Sequence, residues 1–208
     1  CALTSQEIPI HRPMKKRCLN SLIVILLMLL SLSKLHAHAV EQLYMTFDYD
    51  SNRWSLNITF DAGYALPELR DDETSPQPPR SWLFSLSPDE HSRLKKEATS
   101  YLAESIEIRH GSEILPYTVT FPDYATSPPS FPELLNGGAY FSVVLSGHIE
   151  GATAGDFTME VSPDAKPSFI VAQHDGEKNH YTVIKPDSKE VLFSTSPSGE
   201  THIKKSGL

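Results

Sequence analysis

Between Leu43 and Phe60 large apolar side chains recur at every second position. Leu43, Met45, Phe47 and Tyr49 form one run, and Trp54, Leu56, Ile58 and Phe60 form the next. Alternation of period two marks extended backbone with one buried face, because successive side chains of a strand point to opposite sides. Only Asp50-Ser51-Asn52-Arg53 separates the runs, so the sequence predicts an antiparallel hairpin with a four-residue turn. A hairpin that is apolar on one side is stable only where that side meets a second layer, which restricts the chain to layered folds.

The same signature returns further along the chain. Residues 106–110 and 114–121 flank Gly111-Ser112, a second hairpin, with Pro116 placing its strand at an edge or a bulge. Residues 139–149, 156–162, 168–173, 180–185 and 190–195 then read as short strands. A strand spacing of roughly 10 to 12 residues is the mark of an all-β fold, here an antiparallel β-sandwich of about seven to nine strands from Leu43 to Thr195. Trp82, Phe84 and Leu86 suggest one more short strand.

One helix is predicted, from Pro88 to about Ser105. Ser87 is placed to cap it, Pro88 suits the first helical position, and Glu90 completes a capping box. Leu94, Ala98, Tyr101 and Leu102 fall on one stripe that would pack on a sheet, with charged residues on the other face. Two proline-bearing loops interrupt the pattern. Arg70 to Arg80 reads as a solvated excursion, and Pro122 to Gly138 as a long connection.

Ahead of the strands, Met14-Lys15-Lys16-Arg17, the apolar run Leu22 to Leu32 and the small-x-small site Ala37-His38-Ala39 have the grammar of a secretory signal. That run is shorter than the about 20 apolar residues that span a bilayer comfortably, so a cleaved signal is expected. The predicted organisation is therefore upstream sequence at 1–13, a signal peptide at 14–39, an exported β-domain at 40–196 and a flexible tail or linker at 197–208. Export from a bacterial cell would place the domain in the periplasm or on the extracytoplasmic face of a membrane.

Charge narrows the partners. The chain carries −8 overall; Arg12, Lys15, Lys16, Arg17 and Lys34 against Glu7 give residues 1–39 a charge of +4, which leaves −12 on the exported part. Such a surface repels nucleic acid and anionic headgroups. Both cysteines, Cys1 and Cys18, precede the cleavage site, which removes disulfides and thiolate zinc sites from the exported part.

Catalytic motifs are missing from the sequence. It has no Gly-x-Ser-x-Gly elbow, no phosphate-cradling glycine loop, no dinucleotide fingerprint and no His-Glu-x-x-His. The expectation is a non-catalytic domain without a cofactor, one that binds or spaces. Its contact surfaces for a protein or envelope component would be the acidic face and the loops at 70–80 and 122–138. The alternative is a periplasmic copper- or nickel-binding module. His174 and His180 flank the turn Asp175 to Asn179 and would face each other across a hairpin. Cleavage after Ala37 would leave His38 at the amino terminus, where amine and ring together chelate copper.

The Ala37-His38 junction, the alternating strand directly after it, Phe121-Pro122-Asp123-Tyr124 and Gly137-Gly138-Ala139-Tyr140-Phe141 give the chain a further likeness. Over about residues 40 to 200 it resembles the extracytoplasmic amino-terminal part of bacterial HupE/UreJ-type membrane proteins. The resemblance implies a binding or spacer domain preceding a multi-pass membrane domain, in a family context of nickel or related metal handling. It assigns no site residue. Two observations test the organisation: the mature protein should begin at Val40 by mass spectrometry, and the reading frame should continue past Leu208 into apolar helices. An unprocessed amino terminus, or a stop codon directly after Leu208, would contradict it.

Overall fold

The computed structural model describes residues 42–50, 52–72, 76–122, 124, 137–150, 154–174, 178–196 and 201–203. The signal segment, most of the 122–138 loop and residues 204–208 lie outside the described residues. Strands dominate what is described, arranged in two sheets with few helices.

Strands β1 (Gln42–Asp50) and β2 (Arg53–Asp61) pair antiparallel from Tyr44↔Thr59 to Asp50↔Arg53. The turn is therefore two residues long, not four, and Asn52 takes φ 69°, a left-handed conformation that asparagine tolerates. Leu43, Met45, Phe47, Trp54, Leu56, Ile58 and Phe60 are all buried, as the alternation requires.

The chain leaves β2 through two short helices where a loop was expected, α1 (Ala62–Ala65) and α2 (Pro67–Arg70). Asp61 makes this possible. Its buried carboxylate accepts the Gly63 N–H at 2.8 Å through Oδ1 and the Gln77 side-chain amide at 2.8 Å through Oδ2. That second bond draws the stretch after residue 75 inward. Pro78 is buried, Pro79 bridges to Gly138, and the Ala139 N–H donates to the Pro78 carbonyl. Pro76 to Arg80 is thus tied to the fold, contrary to the solvated excursion expected from its composition. Trp82 and Phe84 lie in a helical turn, α3 (Arg80–Ser85), not a strand; Pro79 precedes it as an extended N-cap residue.

The capped helix α4 spans Pro88–Ser105 with both halves of the capping box formed and Leu94, Ala98, Tyr101 and Leu102 buried. Four helical segments are thus described where one was expected. α4 lies against α1 and the end of β2: Tyr101 stacks on Tyr64 at 6.1 Å and meets Phe60 edge-on at 6.1 Å.

From α4 the chain passes directly into β3 (Ile106–His110), then β4 (Glu113–Ile114) and β5 (Thr118–Thr120). Pro116 separates β4 from β5 and changes the sheet: β4 pairs with β3, but β5 pairs with β6 (Tyr140–His148). A residue without an N–H ends one ladder, and the chain crosses to the other. β7 (Gly155–Val161), β8 (Ser168–His174), β9 (Asn179–Ile184), β10 (Ser188–Thr195) and β11 (Thr201–Ile203) follow. One sheet has the order β5-β6-β2-β1-β8-β9 and the other β11-β10-β7-β3-β4.

Three expectations need correction. Eleven strands are described instead of seven to nine, the surplus being the two- and three-residue strands β4, β5 and β11. The sheets are not antiparallel throughout: β1 pairs parallel with β8, Gln42↔Ser168 through Phe47↔Gln173. Nor is the whole segment after residue 196 a tail, since Thr201 and His202 and Ile203 pair with β10. The hydrogen-bond ladder there supplies what composition did not show.

Aromatic rings from both sheets meet. Phe157 of β7 lies 4.9 Å from Phe47 and 5.3 Å from Trp54, both of the six-stranded sheet, and stacks on Phe193 of β10 at 5.0 Å. Gly147 of β6 is required by close approach. A Cβ there would stand 2.8 Å from both the Trp54 ring and the Pro116 carbonyl. Gly147→Ala should therefore cost about 1–3 kcal/mol of unfolding free energy through overpacking, and Leu94→Ala about 2–5 kcal/mol through the cavity it leaves. Chemical denaturation checks both against the exposed Lys96→Ala, expected within about 0.5 kcal/mol of the parent.

Candidate functional site

Two concavities lie at the turn end of the β1–β2 hairpin. β2 pairs with β6 as Arg53↔His148, and β5 adds Thr118↔Ser146, so the ends of three strands converge beside the turn. They frame an open concavity of about 1180 Å³ lined by Asp48, Asp50, Arg53, Trp54, Tyr117, His148 and Glu150 among others. Three carboxylates face one guanidinium there. His148 Nε2 stands 3.8 Å from Glu150 Oε1, and both side chains are well exposed.

The floor of this concavity is aromatic and rigid. Trp54 is held by Gly147 on one side and by ring contacts with Phe157 and Tyr117, the latter at 6.2 Å. Its indole N–H is buried without a hydrogen-bond partner. Tyr117 in turn donates to the backbone carbonyls of Ile106 at 3.2 Å and Leu102 at 3.3 Å, anchoring the β4–β5 link to the end of α4.

On the other side of β1 lies a narrower cleft of about 330 Å³, lined by Phe47, Asp48, Tyr49, Asp50, Gln173, His174 and Phe193. It arises because β8 pairs with β1 only as far as Phe47↔Gln173, leaving Asp48 to Asp50 to run on beyond the ladder. Asp48 and Asp50 thus border both hollows. Asp48 is steadied by the Asn57 side-chain amide at 3.0 Å, and the Tyr49 hydroxyl donates to Asn52 at 3.1 Å.

The two histidines of the alternative, metal-binding reading, His174 and His180, are not brought together. In the β8–β9 hairpin His174 pairs with Asn179 and His180 with Gln173. Neighbouring positions of a strand face opposite sides, so the two histidines project from opposite faces. His174 Nδ1 is engaged by Asn179 Oδ1 at 3.0 Å. His38 lies outside the described residues. Among the described residues no group of three histidine, cysteine, aspartate or glutamate side chains is placed to hold a metal ion.

Several residues of this end were not singled out from sequence. A signal existed for Gln173: it occupies the third inward position of β8 after Phe169 and Val171, where an apolar residue belongs. Asp48 and Asp50 were hidden as the ordinary outward members of an alternating strand. Glu150 and His148 had no local signature, since only the pairing of β2 with β6 brings them beside the turn.

Burial pushes the Tyr117 hydroxyl up to about 12, and the Tyr124 hydroxyl equally. Tyr124 packs edge-on against Phe141 at 5.2 Å, with His91 Nδ1 2.9 Å from its oxygen and Lys95 Nζ 4.2 Å from its ring centre. A phenol raised on folding stabilises the native state fully below its unfolded value of 10.0, and that contribution is lost as pH rises through about 12. Stability should therefore fall between these limits, and Tyr124→Phe should shallow the decline, as measured by denaturation at a series of alkaline pH values. Comparison of the chain with protein-family models and with curated proteins finds no match.

Proposed function

We propose that residues 40–196 are an exported, non-catalytic β-sandwich that binds a basic partner at the turn end of its first hairpin. The observation that carries this reading is the pairing of an acidic rim, Asp48, Asp50 and Glu150, with a rigid aromatic floor, Trp54 and Tyr117, in one open concavity. Strand ends held by a rigid scaffold are where binding residues concentrate. Exposed carboxylates attract cations from a distance, and the part-exposed Tyr117 ring, backed by buried Trp54, adds apolar area and cation–π attraction.

The sandwich itself is supported by the ring contacts between the sheets. Phe157 lies 4.9 Å from Phe47 and 5.3 Å from Trp54, the kind of contact that two sheets packed face to face would make. In this reading the domain is a binding or spacer module in the periplasm or on the extracytoplasmic face of a bacterial membrane. It would precede a HupE/UreJ-like membrane domain, and its partner would be a protein or envelope component with a basic surface. The open shape favours contact with a macromolecule over enclosure of a small substrate.

Decalysine serves as the probe. Isothermal titration at low ionic strength should show binding that weakens steeply with added salt. The double variant Asp48→Asn, Glu150→Gln should lose about fivefold or more in affinity, since exposed charge contacts are worth up to about 1 kcal/mol each. The control Glu97→Gln, Glu104→Gln, on α4, should bind as the parent does. Equal losses in the two variants would mean that net charge alone attracts the probe, and the proposal would fail.

A further inference from the structure

We infer that the narrow cleft beside β1 seats an alkylammonium group, supplied either by a lysine side chain of a polypeptide or by a free polyamine. The inference rests on the reading of the turn end as a surface for basic partners, and it names the chemical group that this end takes up.

It starts from an irregularity in β10. The register of β10 against β7 shifts between Val191↔Thr158 and Phe193↔Phe157, so Leu192 is an extra residue, and both Leu192 and Phe193 are buried. Such a bulge disrupts the ladder locally and re-aims backbone groups. The Leu192 carbonyl accepts from the Gln173 side-chain amide across the sheets at 2.9 Å. A carbonyl only accepts, so the NH₂ end of Gln173 must face it, and the oxygen end is thereby fixed pointing the other way.

That oxygen has no hydrogen-bond partner, although Gln173 is only 2% exposed and lines the cleft. An unpaired buried acceptor is costly and asks for a donor. The remaining lining points to the kind of donor. Asp48 and Asp50 supply negative charge at the mouth, and Phe47, Tyr49 and Phe193 supply ring surface, with Tyr49 4.7 Å and Phe47 5.2 Å from Phe193. His174, the one lining residue able to carry positive charge, is turned to Asn179.

An alkylammonium fits this set. It has three donors and no acceptor, a charge to meet carboxylates, and a cationic head that aromatic faces attract. An anion would meet the two aspartates and an acceptor. A volume of about 330 Å³ holds a side-chain-sized group and excludes a folded segment.

The test follows the Gln173 side-chain amide signal of the ¹⁵N-labelled protein by NMR. Added N-acetyl-lysine-N′-methylamide should shift it saturably, and the uncharged norleucine analogue should not. Asp50→Asn should weaken the lysine compound about fivefold, the scale of one partly exposed charge contact. Gln173→Met should abolish the response at the neighbouring His174 amide; if that variant does not fold, Asp50→Asn carries the test alone. Affinity that grows when the lysine is embedded in a pentapeptide identifies a polypeptide source, and tighter binding of spermidine identifies a polyamine.

No saturable shift, an equal response to the norleucine analogue, or indifference to Asp50→Asn overturns the inference. Decalysine bound at the concavity with the Gln173 signal unmoved would sink this inference alone. Failure of both probes would sink the underlying reading as well.

Discussion

The Phe157 ring, wedged between Phe47, Trp54 and Phe193, is the contact on which the turn end of the domain depends. Each such aromatic pair contributes about 0.5–1.5 kcal/mol beyond the area it buries. Position matters as much as energy. Phe47 and Phe193 make the floor of the cleft, and Trp54 makes the floor of the concavity, so one ring of β7 underlies both hollows. The residues that hold the sheets together are the ones that shape the surface.

The two ends of the domain treat buried polar groups in opposite ways. At the far end Asp61 has both carboxylate oxygens engaged, one capping α1 and the other gripping Gln77, which ties the stretch just ahead of α3 to the end of β2. At the turn end the Trp54 indole N–H and the Gln173 side-chain oxygen are buried without partners. A fully satisfied network rigidifies a structure, whereas a buried group left unsatisfied costs free energy.

What could be read from sequence was local. The β1–β2 hairpin and α4 with its capping box follow from patterns within a dozen or so residues, where alternation, capping chemistry and a helical stripe all agree. The parallel pairing of β1 with β8 was not legible, because Gln42 and Ser168 carry no local trace of each other. Pro116 announced a break in its strand but not the change of sheet that the break allows. Trp82 and Phe84 looked like a strand because a short apolar run fits either period. The concavity shares that difficulty, since Glu150 joins Asp50 only after β2 and β6 have paired.

The parallel pair of β1 and β8 also sets an order of assembly. β1 is a central strand, flanked by β2 on one side and β8 on the other, and β2 is its immediate successor in the chain. When synthesis has delivered only the first hairpin, one long edge of β1 displays unpaired N–H and C=O groups, and its inner face of Leu43, Met45 and Phe47 is uncovered. The edge stays open until most of the described strands have emerged, because β8 precedes only β9, β10 and β11, and the face waits for Phe157 of β7 and Phe193 of β10. An open edge beside an apolar face is the template on which chains aggregate, and distant partners make its closure slow. The parallel pair thus leaves the first strand's edge open to wrong pairing until the eighth strand arrives.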